Sequence, residues 1–578
     1  MGKYRAPIIP LMSILWIADA LAAANSSPTF SAEVGPILAK NCVRCHGPGG
    51  IASFAPFTSF QAVRPWAKAI KEKVALREMP PWPPDPRASV PFRNDLRLTD
   101  QDLTTLLAWV DAGAPEGGGS NSLAASRAAN GWLYPGGREP DLVVSLPGEA
   151  HLPASGVLPY TRYLVKVPLL SDVWIEACQT RPSNPSVVHH MAITEVELDD
   201  GVTPADLDAF EIIAKRMGIA GNPDALRPAV TSPDSRSVVD MLAIYTPGSS
   251  LEVFGNDAGK KLKGGENLYI DFNIHYQTTG KPETDRSQVG FWFRPTPPKH
   301  QLYRVPAGTG TIMANGKELL ADAAGVKAEG TGHVIPPIPP EDPNYELIGV
   351  QAFGRPVTFY QFQPHAHLRA KDFTYTVDFP DGREQTVLTV PKYDFRWQLA
   401  YELEAPLMLP AGSKIVVTAH YDNSANNKSN PAPDKEVFFR AQNQSFDEMF
   451  SPFVQYSIDE DATTRPSAAE VGRGSQLELA GTVGCLHGSR GEEWILDQAT
   501  IPIRSTTQSA TSVELKSASG AALGNDKYML LGTRVFGPTS YRGRRVAVKG
   551  LIIPGSPARL NVTSLQPISG TCPSNDGN

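Results

Sequence analysis

From about Asp141 to Ser467 the chain is written in short runs of alternating apolar and polar residues. "YTRYLVKVPL", "DVWIEAC", "NLYIDFNIHYQ", "FTYTVDF" and "SKIVVTAHYD" share a period of two. That period puts one face of a strand in a core and the other in water. The 53 prolines and 49 glycines suit many short strands joined by turns and exclude a helical bundle. The region is too large for one simple sandwich, so two antiparallel β-sandwich domains of jelly-roll-like form are expected, over 141–300 and 301–467. A length of 578 residues predicts about three to four domains in all.

The N-terminal stretch "MGKYRAPIIPLMSILWIADALAAANSS" places Lys3 and Arg5 before an apolar run and ends in small residues, with Ala22-Ala23-Ala24 fitting an A-x-A cleavage rule. Residues 1–24 are expected to be a secretory signal, so the mature protein is periplasmic or secreted. The apolar run is short for a membrane span and Asp19 interrupts it. No span is expected in the mature chain. A net charge of −7 with no basic block excludes nucleic acid as the expected partner.

"CVRCH", Cys42 to His46, has the spacing of a c-type haem attachment site. The two thiols would bond the porphyrin vinyl groups and His46 would face the iron. A zinc or redox-dithiol reading is weaker, because the histidine follows immediately. "FSAEVGPILAKNC" reads as a helix leading into the motif and "LTDQDLTTLLAWVDAGAPEGG" as a closing helix. In the latter, Thr99 with Asp102 resembles a capping box, Leu103, Leu106, Leu107 and Val110 form the stripe, and Gly113 ends it. Between them Met79, on the proline-stiffened loop "REMPPWPPDP", is the candidate second axial ligand; its alternative role is to pack over the haem edge. Residues 27–117 thus resemble a small all-α cytochrome c domain, followed by a flexible linker over 118–140.

The β-region carries histidines in pattern. His189 and His190 are adjacent in "SVVHHMAITEV", His275 lies in "FNIHYQ", His365 and His367 form H-x-H in "FQPHAHLRA", and Met449 lies in "SFDEMFSPF". Neighbours on an ideal strand point to opposite faces, so His189 and His190 can share a metal only where the strand twists, bulges or ends. H-x-H on a strand puts both rings on one face, and Pro364 marks an edge. His420 and the histidines at 151, 300 and 333 have no such pattern and read as structural.

This ordered set resembles the copper type II, ascorbate-dependent monooxygenases, the peptidylglycine and dopamine monooxygenase group, over roughly residues 141–467. The resemblance implies one copper on His189, His190 and His275, and a second on His365, His367 and Met449, across a solvent-filled cleft. It implies O2 activation and C–H hydroxylation at the methionine copper, with His365, His367 and Met449 catalytic. At least one of His189 and His190 would then bind through Nδ1, and Met191 would be core. Two imidazoles with a thioether favour Cu(I), whereas zinc rarely takes methionine, so a zinc hydrolase is the weaker reading. Peptide-processing members carry arginine where this chain has Gln363, and Asn and Tyr where it has Ser451 and Phe453. An anionic peptide terminus loses its anchors, and an unknown small-molecule substrate is expected instead. Asn273 stands where the family often has Gln, and Cys178 is the region's single cysteine.

Residues 470–578 resemble a small OB-like β-barrel that stabilises or docks. Cys485 and Cys572 bracket it and can close a disulfide, leaving Cys178 a buried thiol. The expected function is an exported monooxygenase with one haem c and two copper ions. Electrons would come from an ascorbate-like reductant or a redox protein, relayed by the haem. The alternative is a haem and copper electron-transfer or sensing protein that keeps both metal sets without a substrate cavity.

Overall fold

A computed structural model of the chain describes residues 27–47, 50–119, 131–198, 236–255, 257–328, 330–439, 445–459, 477–488 and 493–572. The expected signal segment and most of the expected linker lie outside these residues. The chain divides into two compact units. One holds described residues up to Trp82 and from Leu96 to 119; the other holds Pro83–Asp95 and everything from 131 onward. Among the described residues no helix is long and apolar enough to cross a membrane.

The first unit is helical. Thr29 Oγ1 accepts the Ala32 amide and starts a helical turn, Phe30–Val34, that runs on into Gly35–Asn41. Val43–His46, Phe60–Val63, Ala67–Ala75 and Asp100–Asp111 follow. Thr99 caps the last of these by accepting the Asp102 amide, and Gly113 supplies the left-handed residue beyond its end. The stripe is deeper than its leucines suggest. Leu106 and Trp109 are fully buried against Phe30, Leu38 and Val63, while Leu103, Leu107 and Val110 are only partly covered.

The second unit is almost entirely β. In its first sandwich, a sheet of Leu142–Ser145, Gln288–Arg294, Val173–Arg181 and Ala258–Leu262 packs on one of Thr161–Lys166, Leu268–Tyr276, Val188–Leu198 and Arg236–Tyr245. Ile175, Phe291, Ile193, Phe272 and Ile274 meet in its core. Cys178 is a buried free thiol, and Met191, fully buried in the same core, packs as expected. In the second sandwich, Phe453–Ile458, Val357–Gln363 and Tyr401–Leu409 form one layer. The other layer runs from Lys317–Glu318 through Thr311–Ala314, Tyr345–Ala352, Lys414–Tyr421 and Ala370–Asp378 to Glu384–Val390.

The two sandwiches share a sheet. His300–Pro306 pairs parallel with Ala258–Leu262 on one side and antiparallel with Phe453–Ile458 on the other. Arg304 on this shared strand is buried and bonds Glu252 of the first sandwich through both nitrogens, at 3.0 and 2.5 Å, and Gln361 of the second at 2.6 Å. Burial opposes the guanidinium charge, but Glu252 outweighs it and the pKa of Arg304 is raised.

Leu479–His487, Arg544–Ile553, Ala558–Thr571, Asp526–Leu531 and Trp494–Ala499 close into a five-stranded barrel, the last pairing back to the first. Cys485 and Cys572 form a disulfide within it. Its core is continuous with Ile348, Val350 and Val416 of the second sandwich, so it buttresses that sheet.

The segment 83–95, within the sequence expected to be wholly helical domain, is part of the β-unit. Asp85 and Val90 donate backbone amides to Thr389 and Val387, and Arg93 donates to Glu402. Glu404 donates back to Pro91.

A carboxylate removed from beside a buried guanidinium leaves an unpaired charge, at a cost of about 3–5 kcal/mol. Glu252→Ala is therefore expected to lower the urea midpoint of the β-unit sharply, and a double change of Arg304→Met with Glu252→Leu to lower it far less. Equal losses in the two variants would show that the ion pair is not what joins the sandwiches.

Candidate metal centre

The paired histidines are resolved by a β-bulge. Val188 pairs with Tyr276 and His190 pairs with His275, so His189 is the extra residue on its strand. A bulge turns two successive side chains towards one side. The three Nδ1 nitrogens converge: His189 to His190 is 3.0 Å and His189 to His275 is 3.2 Å. Two nitrogens about 2.0–2.1 Å from one tetrahedral ion would stand about 3.3 Å apart. The Nδ1 atoms of all three rings are thus spaced as a shared tetrahedral ion would require, in keeping with the expectation that at least one of His189 and His190 would offer Nδ1. The exposures are 8%, 4% and 8% for His189, His190 and His275. Burial, then the neighbouring histidines, lowers the pKa of His189 to about 4 and of His275 to about 3, and holds His190 well below its ordinary value. The rings are therefore neutral, with lone pairs to offer. His190 Nε2 is buried without a hydrogen-bond partner.

The H-x-H lies just beyond its strand rather than on it. Pro364 has no amide to continue the ladder, and the strand ends at Gln363. Pairing nevertheless persists: Gln363 faces Phe453, and His365 and Ser451 exchange backbone bonds of 3.1 and 3.2 Å. This pairing brings the segment Glu448–Ser451 alongside the H-x-H. Glu448 secures it, accepting the amides of His367 at 2.9 Å, Arg369 at 2.7 Å and Met449 at 3.2 Å. Burial pushes the Glu448 carboxyl up to about 7, opposed by these donors and Arg369.

Acceptors set the tautomers of the pair. His367 Nδ1 donates to the Asp447 carbonyl at 3.1 Å, and His365 Nδ1 donates to Gln398 Oε1. The Gln398 amide is oriented by its own Nε2 bond to the Phe395 carbonyl, 3.0 Å. Both Nε2 atoms are left with lone pairs. Burial lowers the pKa of His365 to about 4 and of His367 well below the usual value.

The two sets are not separated by a cleft. The rings of His190 and His365 are 5.4 Å apart between centres. Tyr160 stacks on His275 at 4.6 Å, and its hydroxyl meets His367 Nε2 at 3.2 Å. Phe395 lies 4.7 Å from His189 and 5.7 Å from His367. Burial is uneven: the three-histidine set and His367 are buried, whereas His365, Met449 and Phe395 are partly exposed.

In the helical unit, Cys42 and Cys45 are free thiols. Burial, then Cys45, raises the Cys42 pKa to about 12, and burial raises Cys45 as well. A redox dithiol needs the opposite shift. His46 stacks on Phe57 at 4.3 Å and its Nδ1 donates to the Ala55 carbonyl at 3.0 Å, which leaves the lone pair on Nε2. Met79 is half-buried beyond the helix Ala67–Ala75.

Other histidines are structural. His333 bridges the Thr331 carbonyl and Ser509 Oγ. His420 pairs with Asp372 at 2.6 Å and Glu346 at 3.5 Å. Sequence reasoning missed Tyr160, Phe395 and Gln398, which carry no motif. It took D-E-M for its methionine and passed over Glu448, the one signal that stood in view.

No family model and no curated protein matches the chain. Among solved structures it is similar to PNGF-II, with 8% identity and a TM-score of 0.22, over 55% of this chain and 66% of that one. It is also similar to the uncharacterized protein lmo2446 of Listeria monocytogenes EGD-e, with 17% identity and a TM-score of 0.13, over 34% of this chain and 14% of that one. A third is the CBM22-1-CBM22-2 tandem domain of Paenibacillus barcinonensis Xyn10C, with 10% identity and a TM-score of 0.13, over 55% and 93%. Likenesses this slight carry no argument.

His420 has a raised pKa, chiefly from its bond to Asp372. Its contribution is complete below the unfolded value and is lost as pH rises through the folded one. His420→Gln is expected to cost about 1 kcal/mol more at pH 5 than at pH 9 in urea denaturation. Equal costs at the two pH values would remove the ion pair from the account.

Proposed function

We propose that the chain is an exported copper-dependent monooxygenase with its own cytochrome c-like module. One copper would sit on His189, His190 and His275 and a second on His365, His367 and Met449. The observation that carries this reading is the donor geometry: the Nδ1 atoms of His190 and His275 lie within 3.2 Å of His189 Nδ1, beside two imidazoles whose Nε2 lone pairs are set by acceptors on Nδ1. Bound there, copper would supply O2 activation for hydroxylation of a substrate C–H bond, the second oxygen leaving as water with two protons and two electrons from an external reductant; Cys42, Cys45, His46 and Met79 would hold a haem c able to relay those electrons singly.

The protein's own groups divide the work by exposure. His189, His190 and His275 are shut away from water, which suits an electron relay. The partly exposed edge lies at His365, Met449 and Phe395, so O2 and a small substrate would approach there. Asp447 and Gln398 hold the Nδ1 protons of His367 and His365 in place throughout. For the haem, the fixed His46 tautomer and the apolar Phe54 side chain, 78% exposed close to the motif, suit a large apolar ring.

A second reading is favoured by one observation, the packing of Tyr160 and Phe395 between the histidine sets. It is a haem and copper electron-transfer or sensing protein without oxygenase activity. Full-length protein loaded with metal is expected to hold two copper ions and to couple O2 uptake to a hydroxylated product in a screen of small C–H substrates under reductant. Met449→Ile should abolish the coupled uptake and leave the haem reducible. Uptake that survives Met449→Ile sinks the monooxygenase reading, and zinc in copper's place points to a hydrolase. For the relay, stopped-flow mixing of reduced haem protein with copper(II) is expected to oxidise the haem within seconds. Haem that stays reduced for minutes while copper turns over with another donor rules the relay out.

A further inference from the structure

The residues that finish the H-x-H set come from one loop, 391–400, where the chain crosses from the strand Glu384–Val390 to the strand Tyr401–Leu409. Tyr393 Oη donates to the carbonyl of Ala366, between the two histidines, at 2.8 Å and accepts its amide at 3.1 Å. Phe395 covers His189 and His367. Gln398 holds the His365 tautomer, and its carbonyl accepts Gln363 Nε2 at 3.1 Å.

Both flanking strands are the last in their sheets. Such edges have unpaired backbone groups and little to hold a loop between them. Here the segment 83–95 fills both. Before the loop, Asp85 and Val90 donate to Thr389 and Val387, and Ser89 Oγ accepts the Thr389 amide at 3.0 Å. After it, Asn94 donates to the Ala400 carbonyl at 2.8 Å and accepts the Glu402 amide at 3.0 Å. Arg93 adds an ion pair to Glu402 at 2.5 Å. The strap thus stitches the two layers of the sandwich together at the two ends of the loop. Its own ends run directly into the helical unit, at Trp82 and Leu96, just downstream of Met79.

We propose that the strap 83–95 is a positioning device for the H-x-H half of the metal centre. It sets loop 391–400, and through Gln398 and Phe395 it sets the tautomer of His365 and the closure of the histidine cluster. A stretch of sequence that leaves and re-enters the helical unit thereby governs metal affinity in the β-unit. The metal arm of this inference rests on the copper reading; the loop arm does not.

The test uses the full chain with Ser89→Ala and Asn94→Ala together. In metal-free protein, amide exchange over 391–400 is expected to rise at least tenfold, with exchange in the strand Leu268–Tyr276 unchanged. In copper(II) titration, one of two bound ions is expected to weaken by about 10–100-fold, the usual effect of losing a ligand's outer partner, and the other to hold. The electron paramagnetic resonance signal of the weakened copper should change with it. Gln398→Ala should weaken the same ion without loosening the strap, and Gln398→Glu, which keeps an acceptor for the His365 proton, should restore it. If the double variant does not fold, Asn94→Ala alone, which removes only the bonds to Ala400 and Glu402, is judged by the same exchange and copper measurements. Unchanged exchange over 391–400 overturns the inference, as does faster exchange with both copper affinities intact. A wild-type chain that binds no copper overturns the copper reading, and the exchange result still judges the strap.

Discussion

The histidine cluster lies across two sandwiches held in one register by a strand they share, and the buried guanidinium of Arg304 sits at that joint. It reaches Glu252 in one sandwich and Gln361 in the other from the strand they share. An ion pair taken out of water adds little net stability, but it tolerates no misplacement. A slip of one residue along a shared strand is about 3.3 Å. That is comparable to the spacing of the donor atoms, so the rings of His190 and His365 could not stay 5.4 Å apart through such an error. The joint serves the site as a ruler more than as a source of cohesion.

Within that frame, local irregularities aim the ligands. A regular strand would send His189 and His190 to opposite faces; the bulge at His189 removes the conflict. At the other set, Pro364 ends the strand, and Glu448 takes over the bonding that a ladder would have supplied. Both devices give up regular pairing at the point where a side chain must be turned. Each is surrounded by core strands that fix the backbone on either side.

Much of this was legible in the sequence, and the boundary has a physical cause. Alternation marked the β-region, the Cys485–Cys572 closure formed as its bracketing position suggested, and Met191 packs in the core. Adjacent histidines announced that their strand had to deviate. What stayed hidden is non-local. Tyr160 reaches His367 across more than two hundred positions of chain, and neither spacing nor periodicity records that contact. The strap at 83–95 reads as a proline-rich loop because its partners are the edges of strands three hundred residues away. The expected cleft came from a resemblance, and nothing in the local sequence could say how far apart two domains would stand.

Burial differs among the candidate ligands: His189, His190, His275 and His367 are buried, and His365 and Met449 are partly exposed. Five imidazoles with depressed pKa values crowd into a small space, which is tolerable only because burial keeps them neutral. Neutral rings facing one another are an arrangement of lone pairs, costly to maintain unless a cation gathers them. Of the five rings only His365 is partly exposed, together with Met449, so in the proposed reading a diffusing molecule would meet the site there. There the ligands depend on a loop that is itself held from outside the sandwich. A metal set built for reaction needs an edge that can admit a molecule, and an edge that admits a molecule needs something other than core packing to keep its ligands in place.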